Sequence, residues 1–316
     1  MGRVAAIDCG TNSIRLLVAD VSTSDDGALS LRDVHREMRV VRLGQGVDAT
    51  GVLSAEALAR TRAALVDYTN VLRRKGAERV RMVATSATRD AANQDEFFSM
   101  TREVLGVSAE VISGDEEARL SFTGAVSDVD SSGGPFLVSD IGGGSTELVL
   151  GDWDGVRGEV AAARSVDIGC VRITERCLAS DPPTEAEVSR AVSVASSVLA
   201  EAFAAVPVEK ARTWIGVAGT VTTLVAVAQG LTAYDPYSIH LARLTVDEVR
   251  ETTSRLLSMT REERAALGAM HPGRVDVICG GALVVRTLAE HLASVGVTEL
   301  VASEHDILDG IAFSLA

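Results

Sequence analysis

The sequence contains few cysteines, and none of them is spaced to ligate zinc or to build a disulfide framework. Four cysteines occur among 316 residues without a CxxC pair, and no histidine stands at ligand spacing from any of them. We therefore expect no zinc site and four reduced, mostly buried thiols. The residues concerned are Cys9, Cys170, Cys177 and Cys279, with His35, His240, His271, His291 and His305.

Long hydrophobic runs are also missing. No apolar stretch free of charge is long enough to cross a bilayer, and the N-terminus "MGRVAAIDCG" enters a strand without the layout of a signal peptide. These absences predict a cytoplasmic protein without a membrane partner.

Positive charge is scarce. The chain carries 30 Lys and Arg against 44 Asp and Glu, a net charge of −14, so its surface should repel nucleic acid at long range. A polyanionic substrate would have to be met by a local basic cleft. Arg15 and Arg89 are candidates for that cleft.

The sequence does contain a duplicated glycine-rich hairpin. "DIGGGSTELVL" (140–150) predicts a strand ending on Asp140, a turn at Gly142, Gly143, Gly144 and Ser145 that can take φ > 0, and a returning strand. "AIDCGTNSIRLLV" aligns with it without a gap, so that Asp8 matches Asp140, and Gly10, Ser13 and Arg15 match Gly142, Ser145 and Glu147. Amide hydrogens of such turns can face an anion, and two of them would hold a phosphate chain and a metal.

Alternating helix and strand patterns predict α/β layers with mixed sheets, and the length favours two domains. The Ser/Gly/Asp-rich segment "SDVDSSGGPF" suggests a boundary, giving domains at 1–127 and 128–303, with a helix at about 304–316 that packs back on the first. We expect the active-site cleft between these domains.

Two helices carry clear sequence signals, and a third segment predicts another anion site. Ser54 and Gly76 should begin and end one helix, and Thr184 with Glu187 forms a capping box at the start of another. "TWIGVAGTVTTL" predicts a strand, a glycine turn and a helix N-terminus that could bind an anion at Gly219 and Thr220.

Six segments, in order along essentially the whole chain, resemble the exopolyphosphatase and guanosine pentaphosphate phosphohydrolase family. They are "AIDCGTNSIRLLVAD", "ATSATRDAAN", "VISGDEEARL", "SDIGGGSTELVL", "DIGCVRITER" and "GVAGTVTTL". The resemblance implies the actin, sugar-kinase and Hsp70 superfold of two RNase H-like domains. It also implies hydrolysis of a terminal phosphoanhydride of polyphosphate or pppGpp with Mg²⁺, or Mn²⁺ in its place.

The resemblance also implies residue roles. Glu117 would be the catalytic base, Glu147 would position the water, and Asp8, Asp140 and Glu147 would hold the metal. Glu116, next to the base, is interpreted as an ordinary helix-start acid. The groups lining the anion path would be Thr11, Asn12, Ser13, Arg15 and Arg89, beside the glycines of both turns.

Two departures from the family pattern bear on function. "SEHDILDGI" replaces a more usual Gly-Leu-Arg ending, which leaves the role of His305 open. The chain also ends without the extra helical domains of longer family members, so we expect short polyphosphates to be preferred.

Other functions and states stay open at this point. An ATP-dependent kinase of the same superfold could hold adenosine at "VICGGALVV", and an ATP-switched scaffold or a polyphosphate or pppGpp sensor is a further alternative. A homodimer is compatible with the sequence.

Overall fold

The computed structural model describes residues 2–24 and 29–316, with only the backbone of Leu29. Contacts within the chain define two compact units. Unit 1 comprises Met1–Ser127, Asp154–Arg157 and Asp306–Ala316, and unit 2 comprises Asp128–Trp153 and Gly158–His305.

Each unit contains one mixed β-sheet. Unit 1 has the strand order β3-β2-β1-β4-β5, and unit 2 has the order β10-β11-β9-β6-β7-β8. The strands are β1 (Gly2–Cys9), β2 (Ser13–Thr23), β3 (Leu29–Val40), β4 (Arg79–Ala84), β5 (Glu110–Val111), β6 (Phe136–Ile141), β7 (Thr146–Trp153), β8 (Gly158–Val166), β9 (Thr213–Val217), β10 (Arg243–Thr245) and β11 (Glu299–Ala302).

The described α-helices alternate with these strands. They are α1 (Val47–Thr50), α2 (Ala55–Lys75), α3 (Ser86–Arg89), α4 (Gln94–Leu105), α5 (Gly114–Val126), α6 (Cys170–Cys177), α7 (Glu185–Ala205), α8 (Ala218–Ala228), α9 (Pro236–Ile239), α10 (Val246–Ser258), α11 (Arg261–Ala265), α12 (Ile278–Ser294) and α13 (Ile307–Phe313). Short 3₁₀ turns lie at Ser131–Gly133, Val208–Lys210 and Pro272–Arg274.

The two sheets share one connectivity. In unit 1, β1 pairs antiparallel with β2 and parallel with β4. In unit 2, β6 pairs antiparallel with β7 and parallel with β9. The prediction of an α/β chain with mixed sheets and a duplicated hairpin is therefore confirmed.

Unit 1 buries both faces of its sheet. Ile7, Ile14 and Leu16 point to the face covered by α2 and α4, whereas Val4 and Leu17 point to the face covered by α5 and α13. Glycine allows α5 and α13 to pack in direct contact, since a Cβ on Gly124 would lie 1.8 Å from the Asp306 carbonyl oxygen. Helix α13 is thus part of the unit 1 core.

The predicted helix ends are confirmed. Ser54 accepts a hydrogen bond from the Ala57 amide, and Gly76 ends α2 in the left-handed conformation that glycine tolerates. Thr184 and Glu187 form the capping box of α7. Strand β3 ends at Val40, and residues 41–44 leave the sheet and contact the turn after β1.

Helix α7 is, among the described residues, long and apolar enough by length and composition to cross a membrane. Core helices pass the same test, and the buried face of α7 (Ala191, Ala195 and Leu199) lies in the hydrophobic core of unit 2. All four cysteines are free and buried, as expected.

Candidate active site

The first glycine turn joins β1 to β2 in unit 1. The Gly10 amide donates to the Ser13 carbonyl at 3.0 Å and closes the turn. The Thr11 carbonyl accepts from the Gly44 amide at 2.8 Å, and the Asn12 carbonyl accepts from the Arg42 amide at 2.8 Å. In a trans peptide, the carbonyl and the following amide point in opposite directions. The amides of Asn12 and Ser13 therefore point away from the segment 41–44.

Several buried polar atoms near this turn have no hydrogen-bond partner in the described part of the chain. They are Asp8 Oδ1, both carboxamide atoms of Asn12, and Thr88 Oγ1. Asn12 is only 6% exposed, yet buried polar groups are almost always paired in folded proteins. A ligand with polar atoms would satisfy this group of atoms. Asn12 was among the residues predicted to bind phosphate.

Arg15 neutralises two acids in unit 1. Its Nε and Nη2 donate to Asp8 Oδ2 at 3.0 and 2.7 Å, and its Nη1 contacts Asp306. Burial raises the pKa of Asp8, and the charge of Arg15 opposes that rise. The sequence suggested that Arg15 lines the anion path. In the structure, this guanidinium holds Asp8 in place, and Asp8 Oδ1 stays available to a ligand.

The adjacent acids of α5 have different surroundings. Glu117 is 7% exposed and accepts from Arg89 Nη1 at 3.0 Å, while the same Nη1 donates to the Ile112 carbonyl at 2.8 Å. The Glu116 side chain is 46% exposed and pairs with Arg81 at 2.7 Å. The structure thus brings together Glu117, the predicted base, and Arg89, a predicted phosphate ligand. Glu116 instead forms a solvent-exposed ion pair with Arg81.

The second glycine turn joins β6 to β7 in unit 2. The Gly142 amide donates to the Ser145 carbonyl at 3.1 Å, the same closure as in the first turn. The carbonyls of Gly142 and Gly143 accept from the amides of Cys170 and Val171, each at 2.9 Å. By the same geometry of the trans peptide, the amides of Gly143 and Gly144 point away from α6.

The structure revises one expectation about this turn and adds one residue to it. None of the described residues Gly142, Gly143 and Gly144 has a positive φ, so the left-handed backbone that we anticipated is absent. Their lack of side chains matters instead for close approach. Sequence reasoning also missed Gly169, where a Cβ would lie 2.5 Å from the carbonyl oxygen of Gly143.

Asp140 and Glu147 lie side by side on this hairpin. They are directly opposite each other in the β6–β7 register, and they are 7% and 1% exposed. Ser165 Oγ donates to Glu147 Oε1 at 2.6 Å. Paired buried carboxylates repel each other unless a cation lies between them, and hard oxygen ligands of this kind suit Mg²⁺. The residues present therefore fit the metal that the resemblance implies.

The backbone at the predicted third anion site, between β9 and α8, differs from the expected glycine turn. Helix α8 follows β9 directly without a glycine turn, and Ala218 has a φ of 67°, which is strained for a residue with a side chain. A Cβ on Gly219 would lie 1.7 Å from Arg274 Nη2, so this guanidinium covers the helix N-terminus beside the buried Thr220. No sequence pattern pointed to Arg274, because it lies 55 positions after Gly219.

The glycines of "VICGGALVV" serve helix packing. A Cβ on Gly280 would lie 2.5 Å from Thr174 Oγ1, and one on Gly281 would lie 2.6 Å from a Thr220 carbon. Both glycines sit in α12 against α6 and α8, so these helices cover them. The kinase alternative loses the segment that supported it.

Comparison with known proteins identifies the family. The Ppx/GppA phosphatase family model matches residues 21–314. "Exopolyphosphatase 2" of Mycobacterium tuberculosis is 59% identical over 320 residues, covering 99% of this chain and 98% of that protein. "Guanosine-5'-triphosphate,3'-diphosphate pyrophosphatase" of Aeromonas salmonicida is 33% identical, covering 91% of this chain and 55% of that protein.

Solved structures agree in fold. The crystal structure of an exopolyphosphatase-like protein has a TM-score of 0.93 and 44% identity, covering 99% of this chain and 98% of that one. The PPX-GPPA enzyme of Aquifex aeolicus has a TM-score of 0.79 and 31% identity, covering 99% of both chains. The units thus have the RNase H-like fold of the actin, sugar-kinase and Hsp70 superfold, as predicted. By sequence and by fold, the chain belongs to the Ppx/GppA phosphatase family.

Proposed function

We propose that the chain is an exopolyphosphatase, which hydrolyses the terminal phosphoanhydride of inorganic polyphosphate and releases orthophosphate. The observation that carries this proposal is 59% identity over 99% of the chain to a protein named for that activity. The glycine turn and acid of each unit supply the groups that such a reaction requires.

Backbone amides and neutral side chains would bind the phosphate oxygens. The amides of Asn12, Ser13, Gly143 and Gly144 point away from the segments that anchor their turns, so phosphate oxygens can accept from them. The unpaired carboxamide of Asn12 can donate as well. Phosphoryl transfer has a loose transition state, so such positioned donors provide most of the catalysis.

Asp140 and Glu147 would hold Mg²⁺ in unit 2, where it would neutralise charge on the phosphate oxygens. In unit 1, Asp8 Oδ1 is the carboxylate oxygen left over from the Arg15 ion pair. Arg274, over the N-terminus of α8, is a further cation that a phosphate could use.

Glu117 would accept the proton of the attacking water. The bond from Arg89 Nη1, at 3.0 Å, fixes the orientation of its carboxylate. As the water oxygen bonds to the terminal phosphorus, Glu117 takes the proton and the bond to the next phosphate breaks. The shortened chain is the leaving group, and amides and cations balance its charge.

Hydrolysis of pppGpp is the second candidate, because a 33% identical relative carries the name of that activity. Both substrates present a terminal phosphoanhydride, and the residues above treat them alike. The two functions differ only in what lies beyond the reacting phosphates.

One experiment separates them. Initial rates of orthophosphate release are measured side by side with Mg²⁺ on short polyphosphate, long polyphosphate, pppGpp and ATP. We expect the highest kcat/KM on short polyphosphate, since a net charge of −14 repels the distal part of a long polymer. Higher kcat/KM on pppGpp would select the second candidate, and release from ATP alone would reject both.

A further inference from the structure

Three residues that are far apart in the sequence converge in unit 2. Asp128, His240 and His305 each offer one ligand atom, and these atoms all lie within 4.8 Å of one another. Asp128 Oδ2 is 3.5 Å from His240 Nε2 and 3.3 Å from His305 Nδ1. From the sequence we expected no zinc site, because we considered only spacing along the chain and these three residues are far apart there.

The backbone around the cluster holds both rings. The Glu304 amide donates to His240 Nδ1 at 3.2 Å, and the Leu241 amide donates to the Ala302 carbonyl at 2.7 Å. The His305 amide donates to Ser303 Oγ at 3.1 Å. The segment after α9 is thus fastened to the end of β11, which keeps the two imidazoles together.

The three side chains lie close together, but they do not satisfy the hydrogen-bonding capacity of one another. His240 Nε2 is buried and has no hydrogen-bond partner in the described residues, because the carboxylate at 3.5 Å is too far for a good bond. Two donors bound to one tetrahedral zinc ion at about 2.0–2.1 Å lie roughly 3.3–3.4 Å apart. The observed separations of 3.5 and 3.3 Å are close to that value.

We propose that Asp128, His240 and His305 bind Zn²⁺ at a site separate from the carboxylates Asp140 and Glu147. Two imidazoles and a carboxylate form a set that borderline transition metals prefer, whereas Mg²⁺ prefers oxygen ligands alone. The Asp128, His240 and His305 side chains are 50%, 22% and 30% exposed, so an ion can enter from solvent and keep a water in the fourth position.

Binding requires one adjustment. Because His240 Nδ1 accepts from the Glu304 amide, the ring proton of the free protein lies on Nε2. Ligation at Nε2 sends that proton to solvent, and Nδ1 takes up another, so the Glu304 bond is lost. We therefore expect micromolar rather than nanomolar affinity.

The position of the site suggests what the ion does. Asp128 and His305 are the first and last residues of unit 2 in chain order. An ion bound to both ties the two ends of this unit together. Zinc should therefore raise the melting temperature of the protein.

The test is a titration of the full chain with Zn²⁺ and Co²⁺ in excess Mg²⁺. We expect one ion per chain and the intense visible spectrum of four-coordinate Co²⁺. His305→Gln and Asp128→Asn should each weaken binding by at least about 100-fold, since removing even a supporting partner of a metal ligand costs about 10–100-fold. Circular dichroism of the metal-free variants checks that they fold.

Two variants serve as controls. His35→Gln removes an imidazole that lies 3.1 Å from a Glu37 oxygen, a similar pair without a second histidine, and should leave binding unchanged. Glu147→Gln alters the predicted magnesium ligands and should also leave it unchanged. Absence of binding to the wild type, equal binding to His305→Gln, or loss of binding in Glu147→Gln would each overturn the proposal.

Discussion

Replacing Glu117 by Gln tests the proposed base. Glutamine keeps the size of the side chain and an acceptor for Arg89 Nη1, now 3.0 Å from the carboxylate, but it cannot take a proton from water. General base catalysis contributes about 10²–10⁴ to the rate, so kcat should fall by that factor. This corresponds to roughly 2.7–5.4 kcal/mol in activation free energy. KM should hold or decrease slightly, since one negative charge leaves a site for a polyanion.

Glu116→Gln is the matched control on the same helix. Residues 116 and 117 are about 100° apart around an α-helix, and Glu116 pairs with Arg81 on a side chain that is 46% exposed. Such a surface pair contributes about 0–1 kcal/mol to the free energy of unfolding, so Glu116→Gln should fold normally. Because this side chain points in a different direction from Glu117, kcat and KM should hardly change.

The Arg89→Gln variant tests whether Glu117 acts as a base or only positions Arg89. If Glu117 served only to hold this arginine, both variants would show the same rise in KM with little change in kcat. The assay is steady-state phosphate release from short polyphosphate, with kcat and KM determined separately for each variant. A Glu117→Gln enzyme that retains kcat within about tenfold of wild type would refute the assignment.

Three further changes test the turns and the fold. Gly169→Ala should lower kcat/KM by about 10²-fold, because the new Cβ would push the Gly143 carbonyl and misplace the turn; unchanged kinetics would show that the turn can shift freely. Asn12→Ala should raise KM by about 10–100-fold without lowering the melting temperature, because this carboxamide makes no bond to the described protein; a clear loss of stability would contradict that role. Backbone amides hold the pKa of Glu187 at about 2, so its stabilisation is present above about pH 4.5 and is lost as pH falls toward 2; thermal melts of Glu187→Gln and wild type should therefore converge in acid, and a constant difference would argue against it.

Local patterns explain why much of the fold could be predicted. The matched spacing of Asp8 and Gly10 with Asp140 and Gly142 fixes two equivalent turns, since a strand, a tight turn and a returning strand are determined by neighbouring residues. The Thr184 capping box and the glycine end of α2 are equally local. Family resemblance supplied the roles of residues whose function no local pattern reveals.

The features that were missed depend on contacts between distant residues. Arg274 reaches Gly219, and Asp306 reaches Arg15, through tertiary packing rather than through spacing along the chain. His240 and His305 are 65 positions apart, so no ligand motif joins them. Sequence periodicity records which face of an element is buried, but it does not record which polar groups meet there.

The measurement that most directly tests the central claim is ³¹P nuclear magnetic resonance of short polyphosphate during turnover by the purified chain with Mg²⁺. Hydrolysis at the terminal phosphoanhydride predicts that orthophosphate grows from the first turnover while the chains shorten one unit at a time. Asp140→Asn should abolish that signal in a folded protein. Internal fragments appearing before orthophosphate, or no hydrolysis of polyphosphate under conditions where pppGpp is cleaved, would contradict the account.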